Sequence, residues 1–223
     1  MEQLLRNAPD AVEELLLNAD IETHTEYPGT ECRMLTSAQF STVTASVHPQ
    51  GVIAVVRIPG GSYGAILPEN PGNRILLLDD VQDPGNVGTI IRCAAAFDCS
   101  GLVLTTGCAD PFGPKAVQAA AGALPGPWIR RTDEAVTLVA RLRTAGYRLL
   151  CADINGDASV DFTDSGPVIV ALGNEGNGLS DQVKQQADLL FSIPMNNRAV
   201  ESLNVAVSGA ITLFAIARGL QWK

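Results

Sequence analysis

No segment of this 223-residue chain is apolar over the roughly 18 residues that a membrane-spanning helix requires. The nearest candidate, Val205 to Ala217, is broken by Ser208, Gly209 and Thr212. The opening Met1-Glu-Gln-Leu-Leu-Arg lacks a basic region followed by an apolar one, so no signal peptide is expected. There is no CxxC. The five cysteines (Cys32, Cys93, Cys99, Cys108, Cys151) are odd in number and scattered, which suits reduced thiols in a cytoplasmic protein. The two histidines, His24 and His48, stand away from any paired cysteines, so no metal is expected. No GxxxxGK(S/T) loop occurs, which counts against an NTPase. Positive charge is also scarce. Fifteen Lys and Arg face 24 Asp and Glu, a net −9. Nucleic-acid binders usually carry a basic face, so a nucleic-acid partner would need a local patch. Acidity also maintains solubility.

What is present is ordinary for an α/β protein. The chain is 46% hydrophobic and 17% charged, enough for one sizeable core and a small appendage. Residues 1 to 58 read as a small α/β unit. Asp10 is placed to cap a helix carrying Val12, Leu15, Leu16 and Leu17, and Thr36-Ser-Ala-Gln39 has the form of a capping box. Gly51 to Arg57 reads as a buried strand. Four Gly and three Pro between Ile58 and Gly72 predict a linker over 59–73. From 74 to 223 short apolar strands alternate with helices. Strands are expected at Ile75–Leu78, Gly101–Thr105, Tyr147–Ala152, Val168–Leu172 and Leu189–Ser192. Helices are expected at Asn86–Phe97, Pro114–Ala121, from Thr132 or Asp133 to Ala145, from Ser180 to Ala187, and at the C-terminal end. That alternation predicts a parallel sheet covered on both faces, with ligands bound at the carboxyl ends of its strands.

Three loops fall at such ends. The first leads from Leu78 through Asp83-Pro-Gly-Asn86 into a small, apolar helix. Arg92 is its lone charge before Phe97. Such an Arg either snorkels to solvent or aims at a phosphate or carboxylate. The second, Leu172-Gly-Asn-Glu-Gly-Asn-Gly-Leu179, runs G-x-x-G-x-G, the reverse of the dinucleotide fingerprint. Its Glu175 and asparagines suit a neutral or cationic ligand better than a polyphosphate. The third, Ile193-Pro-Met195 to Glu201-Ser-Leu-Asn-Val-Ala-Val207, sets Ser202 and Asn204 where loop becomes helix. There they are placed to cap it, beside the apolar Ile193, Met195 and Leu203.

Together these three segments resemble the three motifs of the SpoU/TrmH family of RNA ribose 2′-O-methyltransferases, of the SPOUT superfamily. The resemblance covers about residues 74 to 220. It implies a parallel α/β sheet with a C-terminal deep trefoil knot, a homodimer, S-adenosylmethionine as cofactor, and RNA as substrate, ribosomal RNA ahead of tRNA. It implies cofactor contacts from Leu172, Gly173, Asn174, Gly176, Ile193, Met195 and Leu203. Arg92 would activate the ribose hydroxyl in the partner subunit's site, with Asn86 holding it, and Glu175, Ser202 and Asn204 would complete that site. Lys115 and Arg92 would meet RNA. Residues 1 to 58 resemble the later part of a ribosomal-protein-like RNA-binding domain, chiefly at His48-Pro-Gln-Gly51. Gln118 and Ala120 stand where the family usually carries Arg and Ser. Two other readings compete with this one: a non-catalytic dimer that keeps the fold, and a Rossmann-type nucleotide enzyme.

Overall fold

A computed structural model describes residues 2–21, 27, 29–44, 49–163, 166–196 and 199–222. The chain separates into two compact units, Met1–Pro59 and Gly60–Lys223.

The first unit contains α1 (Glu2–Asn7), a 3-10 turn (Pro9–Ala11), β1 (Val12–Asn18), β2 (Cys32–Leu35), α2 (Ser37–Val43) and β3 (Val52–Val56). Its strand order is β2-β1-β3, with β1 parallel to β2 and antiparallel to β3. The helix expected after Asp10 is therefore a strand. Val12 and Leu15–Leu17 find hydrogen-bonding partners in neighbouring strands, and that pairing overrides a composition equally suited to helix. The capping box forms as expected. Thr36 Oγ1 accepts from the Gln39 N–H at 3.3 Å, and Gln39 Oε1 accepts from the Thr36 N–H at 3.0 Å. The helix it starts buries Phe40, which joins Leu15 in the small core. β3 is an edge strand and only half-buried, less covered than its β-branched run suggests. Arg33 and Arg57 pair with Glu14 and Glu13. His48 lies outside the described residues.

The second unit is built on a six-stranded, wholly parallel sheet. Its strands are β4 (Arg74–Asp79), β5 (Gly101–Leu104), β6 (Trp128–Arg131), β7 (Arg148–Asp157), β8 (Val168–Gly173) and β9 (Leu189–Phe191), in the order β6-β5-β4-β8-β7-β9. Both faces are covered, and successive residues of one strand enter opposite cores. Leu76, Leu78, Val170 and Leu172 pack with α3 (Pro84–Ala96) and α7 (Val205–Arg218). Ile75, Leu77, Ile169 and Ala171 pack with α5 (Ala135–Thr144) and Val183 of α6 (Asp181–Lys184). The remaining helix, α4 (Pro114–Ala120), packs against α3. The contact is close. A Cβ on Gly88 of α3 would lie 2.2 Å from the Ala116 carbonyl oxygen.

Two further expectations are corrected, and one strand is additional to those expected. The Gly- and Pro-rich stretch does not stand off as a linker. From Gly60 onward it is a strap on the second unit, where the Ser62 and Ile66 carbonyls accept from the Arg131 N–H and Arg130 Nε. The Pro71 and Gly72 carbonyls accept from Trp128 Nε1 and the Tyr147 hydroxyl, and Ala65 and Leu67 pack on the core. Trp128–Arg131 is a strand, because each of its residues pairs with β5. The helix after Ser180 stops at Lys184, and Ser180 caps it without a side-chain bond. The Ser180 N–H instead donates to the buried Asp79 carboxylate at 2.8 Å, which ties the segment to the end of β4.

Candidate functional site

The carboxyl ends of β4, β7 and β8 converge, and each is extended by a loop with its own internal bonds. After β4, Asp80 adopts a left-handed conformation (φ 59°), which Asp tolerates better than most residues. Asp83 then caps α3, accepting from the Asn86 N–H at 2.8 Å, with Pro84 at the first turn. After β8, Asn174 and Gly178 exchange two backbone hydrogen bonds of 2.9 Å each, closing the glycine loop on itself. Asn174 Oδ1 accepts from the Gly176 and Asn177 N–H groups, and its Nδ2 donates to the Asp80 carbonyl at 2.8 Å. Asn204 caps α7 by accepting from the Ala206 and Val207 N–H groups.

These loops are joined by one chain of polar side chains. Asn204 Nδ2 donates to Asn86 Oδ1 at 3.0 Å, and Asn86 Nδ2 donates to Glu175 Oε1 at 2.9 Å. The Gln82 and Asp83 N–H groups approach the same carboxylate at 3.4 Å. Desolvation pushes Glu175 toward protonation, but the bond from Asn86 and those from backbone N–H groups outweigh it and hold the carboxyl below its ordinary pKa. Glu175 is thus ionised at neutral pH and occupied as an acceptor. Asn86 is the middle link, so Asn86→Ala strips a donor from Glu175 and an acceptor from Asn204. The expected loss is about 1 kcal/mol, read as a fall of about 2–4 °C in Tm for a chain of this size. An unchanged melting curve would show that the three loops do not depend on this link.

Beside the chain lies a groove in two connected parts. The larger, about 540 Å³, is lined by Leu172, Gly173, the 174–178 loop, Glu201 and Leu203. The smaller, about 110 Å³, is lined by Phe191, Ile193, Met195 and Leu203. The structure therefore gathers Leu172, Gly173, Asn174, Gly176, Ile193, Met195 and Leu203 around one space, with Glu175, Ser202 and Asn204 on its border. It does not bring Arg92 or Lys115 there. Arg92 is exposed on α3, lies outside the lining, and makes no hydrogen bond or ion pair among the described residues. Lys115 is exposed on α4. Sequence reasoning missed the far end of β7, where Ala152, Asp153 and Ile154 line both parts, and it missed Lys184. The signal was available, since β7 is a neighbour of β8 whose carboxyl end opens on the same edge.

Charge narrows what the groove can hold. Among the described lining residues there are three carboxylates, Asp153, Glu175 and Glu201, and one cation, Lys184, already paired with Asp153 at 2.7 Å. Polyphosphate is disfavoured, and an apolar body bearing positive charge is favoured. No group of three or more potential metal ligands occurs among the described residues. No described helix is long and apolar enough to cross a membrane.

Fold and groove together define an α/β protein with a groove of small-ligand size at the carboxyl edge of a parallel sheet. The chain belongs to the SpoU rRNA methylase family, whose model matches residues 73–214. It is 33% identical over 222 residues to the 23S rRNA (guanosine(2553)-2′-O)-methyltransferase RlmP of Bacillus subtilis, covering 96% of this chain and 84% of that protein. Some other curated relatives are longer, and the chain spans about half their length. The SpoU methyltransferase AviRb of Streptomyces viridochromogenes, solved with AdoMet, superposes with a TM-score of 0.78 at 28% identity, over 97% of this chain and 87% of that one. An AdoMet-bound rRNA methyltransferase of Sinorhizobium meliloti gives 0.77 at 29% identity, over 99% and 85%.

Proposed function

We propose that this protein transfers the methyl group of S-adenosylmethionine to a ribose 2′-hydroxyl of RNA, ribosomal RNA in particular. The observation that carries the reading is the acidic groove with an apolar end, bordered by the Asn204–Asn86–Glu175 chain, in a member of this family. When bound, S-adenosylmethionine supplies an electrophilic methyl on a cationic sulfur. Leu172, Leu203, Ile193 and Met195 offer apolar walls, and the closed 174–178 loop offers backbone polar groups at fixed positions. Glu175 favours positive charge nearby, and with Asn86 and two backbone N–H groups on its carboxylate it serves to orient; as the O–C bond forms the C–S bond breaks, S-adenosylhomocysteine leaves, and the ribose proton passes to water. Methyl transfer is an in-line displacement, so holding the hydroxyl in line is the main task.

Arg92 is assigned to that task across a dimer. Its guanidinium does not line its own groove. It lies on an α3 face with exposed Thr89 and Ala96, next to α7, whose Val207 and Phe214 are each 46% exposed. A second copy covering this apolar face would place Arg92 toward the partner's groove, where a bidentate hold on an RNA phosphate suits a guanidinium. The family's C-terminal knot, an RNA-gripping role for residues 1–58 and a cytoplasmic location belong to the same reading.

The test is direct. Purified protein is incubated with methyl-labelled S-adenosylmethionine and ribosomal RNA, and the labelled nucleotide is mapped. Label at one ribose 2′-position is expected, from a species of dimer mass. Tight cofactor binding with no RNA labelled would instead favour a non-catalytic module.

A further inference from the structure

Among the described residues bordering both parts of the groove, only Asp153 carries charge, and its side chain is 11% exposed. Oδ2 accepts from Lys184 Nζ at 2.7 Å, and Oδ1 accepts from the Asn155 N–H at 2.9 Å. A carboxylate has about four acceptor positions, and Lys184, the Asn155 N–H and the Asn155 side chain account for at most three of them. Burial raises the Asp153 pKa, but the bonds from Lys184 and the Asn155 N–H outweigh it and keep the group below the ordinary carboxylate range.

The fold has little need of this ion pair. The start of α6 is already tied to β4 through the Ser180 N–H and Asp79. A partly buried pair is weak evidence for stability, because desolvation offsets the attraction. The arrangement fits a different use, which is to keep one carboxylate ionised and aimed at the junction. A nucleoside carrying a charged chain has three parts in line: a flat apolar base, a ribose diol and a charged tail. Base in the apolar part and tail in the acidic part put the diol between them, opposite Asp153.

We propose that Asp153 binds the ribose 2′,3′-diol of the nucleoside cofactor, with Lys184 as its positioning residue. The assignment rests on the S-adenosylmethionine reading of the groove. The test is calorimetric binding to the full chain of S-adenosylhomocysteine and of its analogue lacking both ribose hydroxyls. Asp153→Ala is expected to weaken S-adenosylhomocysteine by about 10- to 100-fold, the range for a hydrogen bond to a charged group. Wild type is expected to lose a similar factor on the analogue, and Asp153→Ala to lose nothing further on it. Lys184→Met is expected to weaken binding less, with recovery in Lys184→Arg. Should the Ala variant unfold, the same comparison is read from Asp153→Asn, which keeps the shape. Additive losses, or an unaltered affinity in the Asp153 variant, overturn the assignment while leaving the cofactor reading intact. Wild type that binds neither ligand overturns both.

Discussion

Arg92→Ala is expected to lower methyl transfer by about two to three orders of magnitude, the usual cost of removing one donor that acts on developing charge. Binding of S-adenosylhomocysteine is expected to stay as in wild type. The contrast follows from placement. Arg92 lies outside the groove's lining and is exposed on α3, so its loss opens no cavity and breaks no bond within the described chain. Arg92→Lys is expected to recover little, because an ammonium lacks the planar fork that holds a phosphate in two places. Weakened cofactor binding in Arg92→Ala would sink the assignment, since it would make Arg92 part of its own chain's groove. Mixing is a sharper test. An Arg92→Ala subunit and a subunit unable to bind cofactor should regain activity together if each dimer builds its site from both chains.

Gly173→Ala supplies that second subunit and carries the other large effect. A Cβ on Gly173 would lie 2.2 Å from the Gly178 carbonyl carbon and 2.3 Å from the Leu179 nitrogen. Both are backbone atoms and cannot step aside without parting the Asn174–Gly178 pair. Glu175 sits inside that pair, so its carboxylate moves too. The expected result is cofactor binding weaker by about 100-fold or more, the scale set by displacements near 1 Å, and a stability loss of about 1–3 kcal/mol from overpacking. Gly64→Ala, away from the groove, is the control, with no left-handed backbone and its nearest neighbour, the Gly61 carbonyl oxygen, at 3.6 Å. Equal affinities in the two variants would show that the loop yields freely, contrary to its two mutual bonds.

These contacts also show what could be read in the chain beforehand. β4 and β8 were legible because each centres on a short apolar run, Ile75–Leu78 and Val168–Leu172, closed by a turn, as a strand covered on both faces requires. Two of the three loops were legible for the same reason, since they begin where those runs end, and the third follows β9. β1 was not, because Leu15–Leu17 suit a helix as well as a strand and pairing with β2 and β3 settles the matter. Periodicity identifies a strand but not its neighbours, so the insertion of β8 between β4 and β7 left no local trace. Asp153 was hidden by the same limit. Its strand runs past its buried part, and the importance of its end depends on which strand lies beside it. The strap at 60–73 looked like a linker because Gly and Pro reveal turns, not what the turns lie against.

The placement of β8 also governs how the chain can reach its native state. Arg74 of β4 pairs with Val168 of β8, and β7 has only β8 and β9 as neighbours, both made after it. At roughly 5–20 residues per second on the ribosome, one edge of β4 stays open for on the order of ten seconds. Until β8 arrives, β7 has no place in the sheet at all. The protein therefore has no natural halfway form in its second unit: β8 is a keystone added late. Chains cut before Val168 should aggregate through open edges rather than fold as a smaller sheet.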